Sequence, residues 1–264
     1  MPSTKPIGVF DSGVGGLSVL LELKKLLPNE DFVFLADQKN VPYGEKSKEE
    51  LIGFMHGVTT YFAQHHDIKL LVIACNTASC YTYDELRKKY PFQIVRTIPA
   101  VKPASESTKR GTIAVMSTPA TSKSPVVKEL IKDYCKEVNV LNIGCKNLEN
   151  AVENGNLKGA QVNKLLKKYL KEVNKSDADC LVLGCTHYPF LRNAIKKMVS
   201  PKVKILDSGL AIAKRTKSLL KTLRIKNTQK RREAVYLTTG NSQKFEKVAG
   251  QLLNKKIKAK KVKI

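Results

Sequence analysis

Short apolar runs of strand length alternate with longer stretches of helical periodicity along almost the whole chain. That alternation dictates βαβ units and a mostly parallel sheet. Strand-like runs fall at 7–10, 32–36, 70–74, 112–116, 138–142, 180–184, 203–206 and 234–238, with helical patterns at 15–27, 48–66, 78–89, 125–135, 161–173, 190–199 and 242–253. In the second helix Leu51, Phe54, Met55, Val58, Tyr61 and Phe62 recur at helical spacing and are expected to face the core. A last strand over 256–264 alternates apolar residues with lysines, as suits an exposed edge.

Open parallel sheets bind their ligands beyond the carboxyl ends of the strands. Two of the runs end there on a cysteine followed by small polar residues: Cys75-Asn76-Thr77 after Leu70-Leu71-Val72-Ile73-Ala74, and Cys185-Thr186-His187 after Cys180-Leu181-Val182-Leu183-Gly184. Asp11-Ser12-Gly13 also returns as Asp207-Ser208-Gly209, again after a strand. Together these echoes suggest two similar halves, each presenting one thiol. Facing thiols on either side of a bound molecule suit the transfer of a proton from one face of a carbon to the other.

The chain of 264 residues can bury a sizeable core, and 42% hydrophobic with 27% charged residues is an ordinary globular composition. No apolar run approaches the ~18 residues of a membrane span, and the first residues lack the apolar stretch of a secretory leader. A cytosolic protein is expected. Six cysteines are too sparse for a disulfide scaffold. If 180–185 is a strand, Cys180 and Cys185 lie ~16 Å apart and cannot share a metal. The net charge of +24 could attract nucleic acid. Dispersed lysines without aromatic stacking motifs fit solvated helix faces better, and only the tail from 255 to 264 is concentrated.

Asp11-Ser12-Gly13-Val14-Gly15-Gly16 could pass for a dinucleotide fingerprint, but Ser18 stands where the third glycine belongs and Asp11 would repel a pyrophosphate. These glycines are expected instead to let a ligand carboxylate approach the amides at the helix start. Asn76, Thr77 and Ser79 are candidates for anion binding or for capping the helix after Cys75, and Thr186 occupies the matching position after Cys185. A free thiol has a pKa of about 8.5, so one sulfur must be made more acidic and the other kept protonated. Asp11 near Cys75 and His187 near Cys185 could divide those tasks.

Gly8-Val9-Phe10-Asp11-Ser12-Gly13-Val14-Gly15-Gly16, Pro42-Tyr43-Gly44, Cys75-Asn76-Thr77-Ala78 and Gly184-Cys185-Thr186-His187-Tyr188-Pro189 resemble the cofactor-independent glutamate racemases, isomerases of the aspartate/glutamate racemase family. The resemblance runs in order from residue 7 to the terminal strand. It implies that Cys75 and Cys185 are the acid/base pair, acting on D- and L-glutamate respectively. It also implies that Asp11 assists Cys75 and that His187, supported by Glu153, assists Cys185. Substrate contacts are implied for Asp11, Ser12, Pro42, Tyr43, Gly44, Cys75, Asn76, Thr77, Thr118, Thr121, Cys185, Thr186 and His187. No cofactor and no metal are implied. The family supplies D-glutamate for peptidoglycan and commonly forms homodimers.

From its residues alone, Glu153 is equally readable as a solvated carboxylate at a helix end. Asp37 either lines the site or caps a turn, and His56, His65 and His66 fall on a helix as structural or surface residues. A cysteine hydrolase with His187 as base and Asp11 as orienter would leave one thiol without a task. A nucleic-acid-binding protein is the non-enzymatic alternative. The expected architecture is α/β: two pseudo-symmetric, doubly wound domains, 1–98 with 208–264 and 99–207, with mostly parallel sheets and the site between them.

Overall fold

The computed structural model describes residues 3–229 and 234–264. Positions 1–2 and 230–233, which fall within the expected first domain, lie outside the described residues.

The chain opens with β1 (Ile7–Asp11), α1 (Leu17–Leu26), β2 (Phe32–Ala36), α2 (Lys48–His66), β3 (Leu70–Ile73), α3 (Asn76–Lys89), β4 (Gln93–Arg96) and α4 (Val101–Ser107). It continues through β5 (Thr112–Ser117), α5 (Pro119–Lys123), α6 (Pro125–Tyr134), β6 (Asn139–Gly144), α7 (Leu148–Glu153), α8 (Ala160–Lys175), β7 (Cys180–Leu183), α9 (Arg192–Lys196) and β8 (Lys204–Asp207). It closes with α10 (Gly209–Thr222), β9 (Val235–Thr238), α11 (Ser242–Leu253) and β10 (Ala259–Lys261).

Among the described residues these strands form a six-stranded sheet ordered β10-β9-β2-β1-β3-β4 and a four-stranded sheet ordered β6-β5-β7-β8. Every pairing between them is parallel. β1, β2 and β3 are buried along their whole length, which is why they are continuous apolar runs rather than alternating ones. The edge strands β6 and β8 are only partly covered.

The order β2-β1-β3-β4 in one sheet matches β6-β5-β7-β8 in the other. In both, the winding reverses direction beside the first strand of the set, so the crevices open beyond β1 and β3 and beyond β5 and β7. Cys75 follows β3 and Cys185 follows β7, at equivalent places. The Asp-Ser-Gly echo is not equivalent, because it follows the first strand of one set and the fourth of the other. It reflects shared turn chemistry: Gly13 N–H donates to Asp11 Oδ1 at 3.0 Å and Gly209 N–H to Asp207 Oδ1 at 2.9 Å.

The largest apolar cluster joins α1 and α11 of the first sheet to α7, α8 and Tyr188 of the second, and a smaller cluster covers the outer face of each sheet. After β8, α10 carries the chain back across to pack on α1. On α2, Leu51, Met55, Val58 and Phe62 are buried as the spacing requires, whereas Phe54 and Tyr61 are half-buried. Three expectations need correction. The helix over 190–199 is a 3-10 turn (Tyr188–Leu191) followed by the five residues of α9. The last strand covers three residues, since Ile257 turns into the core before pairing begins. The helix after Cys75 starts at Asn76, because the cysteine sulfur is itself the cap and accepts from Ala78 N–H at 3.5 Å.

Candidate active site

A small cavity lies where the two crevices meet. Cys75, Ser12, Asn76 and Thr77 line it from the first sheet, and Cys185, Thr186 and His187 from the second. Pro42, Tyr43 and Gly44 form one wall, facing Thr118 and Thr121. Twelve of the residues named from sequence therefore surround one space. The other two, Asp11 and Glu153, stand behind it. Asp11 is fully buried and Glu153 is 5% exposed.

The two thiols have different neighbours. Cys75 Sγ donates toward Ser12 Oγ at 3.7 Å and lies near Asp11. Burial raises its pKa far above the usual thiol range, and the Asp11 charge raises it further. Cys185 Sγ lies 3.6 Å from His187 Nδ1. Burial raises this thiol as well, but the hydrogen bond and charge of His187 oppose the rise. Of the two sulfurs, Cys185 is thus the one with a cationic partner beside it to stabilise a thiolate against the effect of burial.

Behind His187, Nε2 sits 2.6 Å from Glu153 Oε1. Burial works against an imidazolium here, yet contacts with Cys185 and Glu153 outweigh it and hold the ring well above its ordinary pKa. Burial likewise opposes a charged Glu153, but His187, Gln38 Nε2 at 2.7 Å and Val14 N–H at 2.6 Å keep its pKa below normal. Glu153 is therefore a buried, fully engaged carboxylate rather than a solvated helix end. It also corrects the reading of the glycine-rich turn, where the carboxylate bound by a backbone amide is the protein's own. A Cβ on Gly13 would overlap the Glu153 carboxylate, and one on Gly15 would overlap the His187 ring.

Asp11 bridges the two halves, accepting from Thr186 Oγ1 at 3.0 Å. Burial raises its pKa to about 6, against His187 and its own hydrogen bonds. Thr186 caps no helix, contrary to its expected role: the turn after it has no side-chain cap, and its hydroxyl goes to Asp11 instead. Across the cavity, Thr77 Oγ1 lies 2.9 Å from Thr118 Oγ1 and 3.0 Å from Thr121 Oγ1, while Thr118 also caps α5. Asp37 sits behind the wall, accepting from Tyr43 Oη at 2.7 Å and Thr239 Oγ1 at 2.7 Å. His56, His65 and His66 lie on α2 and do not line the cavity.

Sequence reasoning missed Gln38, Glu149, Val41 and Gly184. Glu149 was findable: it precedes Glu153 by one helical turn, so the two share a face of α7. Gln38 carries no such signal, because its partner lies in a distant part of the chain.

The profile of the Asp/Glu/Hydantoin racemase family matches residues 7–216. The chain is 40% identical over 245 residues to a glutamate racemase of Herpetosiphon aurantiacus, covering 92% of this chain and 96% of that one. Among solved structures it resembles glutamate racemase isoform RacE1 from Bacillus anthracis, with a TM-score of 0.91, 32% identity and 98% of each chain covered. It also resembles the Escherichia coli glutamate racemase in complex with L-glutamate and the activator UDP-MurNAc-Ala, with a TM-score of 0.85, 30% identity, and 94% and 95% of the two chains covered. The chain belongs to the Asp/Glu/hydantoin racemase family, within its glutamate racemases.

Proposed function

We propose that the chain interconverts L- and D-glutamate by a two-base reaction in which Cys185 and Cys75 act on opposite faces of the α-carbon. The observation that carries this reading is the pair of thiols on one cavity with opposed electrostatic surroundings. L-Glutamate bound to the Escherichia coli relative supports the choice of ligand.

From L-glutamate Cys185 acts as the base, its thiolate stabilised by a protonated His187 that Glu153 holds in place. Its sulfur takes the α-proton of L-glutamate, and the electron pair of the C–H bond remains on the α-carbon and its carboxylate. Cys75, kept protonated by burial and Asp11, delivers its proton to the other face and gives D-glutamate. The thiols have then exchanged roles, and the reverse reaction starts from D-glutamate at Cys75.

The costly step is the carbanion beside a carboxylate, so fixed donors must stabilise the growing charge. Backbone amides at the start of α3 and the hydroxyls of Ser12, Thr77, Thr118 and Thr121 are placed to supply it. Hydroxyls and amides bind both carboxylates without transferring protons to the carbanion.

We assign the domains as 1–98 with 208–264 and 99–207, with substrate held between them. Family resemblance supports a cytoplasmic homodimer that supplies D-glutamate for peptidoglycan. Among the described residues no helix is long and apolar enough to cross a membrane. Incubation with L-glutamate in deuterium oxide tests the reaction: deuterated D-glutamate should accumulate at constant total glutamate. Consumption of glutamate, or no α-exchange, would refute it and favour the hydrolase alternative.

A further inference from the structure

Glu149 has no place in the two-thiol scheme, yet it lines the same cavity as both cysteines. Its side chain is buried, with the residue only 3% exposed, and its Oε2 has no hydrogen-bond partner. Burying a carboxyl oxygen without a donor is costly, so such an atom on a ligand cavity marks a place where the ligand supplies the donor. The backbone N–H groups of Glu149 and Asn147 donate to the carboxyl but leave Oε2 without a partner; its other neighbours include His187, whose hydrogen bonds go to Cys185 and Glu153, and Glu45, whose like charge would not relieve it.

Resting on the reading that the ligand is glutamate, we propose that Glu149 is a specificity-determining residue that accepts a hydrogen bond from the substrate's α-ammonium through Oε2. Glutamate has hydrogen-bond donors only on its ammonium, because both carboxylates are acceptors and would be repelled by a third carboxyl. The remaining cavity groups divide in the same way. The hydroxyls of Thr77, Thr118 and Thr121 are donors suited to carboxylates, whereas Asn76 Oδ1 is a second buried acceptor on the cavity without a partner. Two orphan acceptors match the needs of an ammonium, which carries several donors and no lone pair. Burial raises the Glu149 pKa, and an ammonium brought against it would offset that cost.

The test compares L-glutamate with glutarate, which keeps both carboxylates and lacks only the ammonium, by calorimetric titration of wild type, Glu149→Leu and Glu149→Gln. Glu149→Leu should weaken glutamate binding about tenfold and leave glutarate within twofold. Glu149→Gln, which keeps an acceptor oxygen, should recover most of the loss. The proposal is overturned if the glutamate loss exceeds the glutarate loss by less than threefold, which is the result expected of a packing role. If Glu149→Leu does not fold, Glu149→Ala takes its place: a glutamate-selective loss supports the assignment, and an equal loss or none overturns it. A wild-type chain that binds neither ligand refutes the underlying glutamate reading instead.

Discussion

His187 Nε2 lies 2.6 Å from Glu153 Oε1, and the same oxygen accepts from Val14 N–H across the boundary between the two sheets. One carboxylate thereby orients the imidazole beside Cys185 and ties α7 to the glycine-rich turn after β1. Catalytic geometry and the closure of the cavity share a single anchor.

Removing that anchor has a defined pH signature. His187 has a raised folded pKa, so its contribution to stability is full below about 6.5 and is lost as pH rises through the folded value. Glu153 has a lowered one, so its contribution is present above about 4.3 and is lost as pH falls through the folded value. Urea unfolding should show Glu153→Ala less stable by about 3–5 kcal/mol between those limits, with a smaller deficit on either side. In Glu153→Gln, an NMR titration should find the His187 pKa lowered toward the ordinary imidazole value.

Asp11 makes the opposite demand on stability. Its pKa rises from 3.8 to about 6 on burial, so the folded state binds this proton more tightly and loses stability as pH climbs through that interval. At 1.36 kcal/mol per unit the loss is about 3 kcal/mol. Wild type should therefore lose about that much stability relative to Asp11→Asn between pH 3.5 and pH 8, as followed by denaturant unfolding. The same variant should turn over glutamate more slowly throughout, because one amide oxygen must replace the two that accept from Gly13 N–H and Thr186 Oγ1, and Cys75 loses the neighbouring charge. Equal pH dependence in the two proteins would contradict the assigned burial cost.

Gly15 is a steric test of His187. An added Cβ overlaps the imidazole and the neighbouring Thr186 hydroxyl, so Gly15→Ala must push the His187–Thr186 turn, and the ring with it, away from its place beside Cys185. Misplacement by about 1 Å costs on the order of a hundredfold in rate. The expected outcome is a loss of that size in kcat/KM with a near-native circular dichroism spectrum. Wild-type kinetics would show that the ring's position is not critical.

The buried strands and the cysteines that end them were legible because apolar runs covered on both faces leave an uninterrupted sequence signal. Long amphipathic helices were equally plain. β4, with two apolar residues between Gln93 and Arg96, and α5, only five residues long, leave too short a pattern to separate from loop. α10 does carry a readable stripe, with Ile212, Ala213, Thr216 and Leu220 buried at helical spacing. The site was less transparent where its logic is long-range. Asp11 with Thr186, Gln38 with Glu153, and Thr77 with Thr118 are each joined only by the packing of one sheet's loops on the other's. Local propensity contains no trace of such pairs.

The central claim is that both sulfurs are required, one on each face of the α-carbon. Racemisation of L- and D-glutamate by Cys75→Ser and by Cys185→Ser, followed by optical rotation, tests it most directly. The account predicts that each variant loses at least a thousandfold in kcat in both directions, since a serine hydroxyl is far too weak an acid to replace the thiol as base. Near wild-type interconversion by either variant would contradict it.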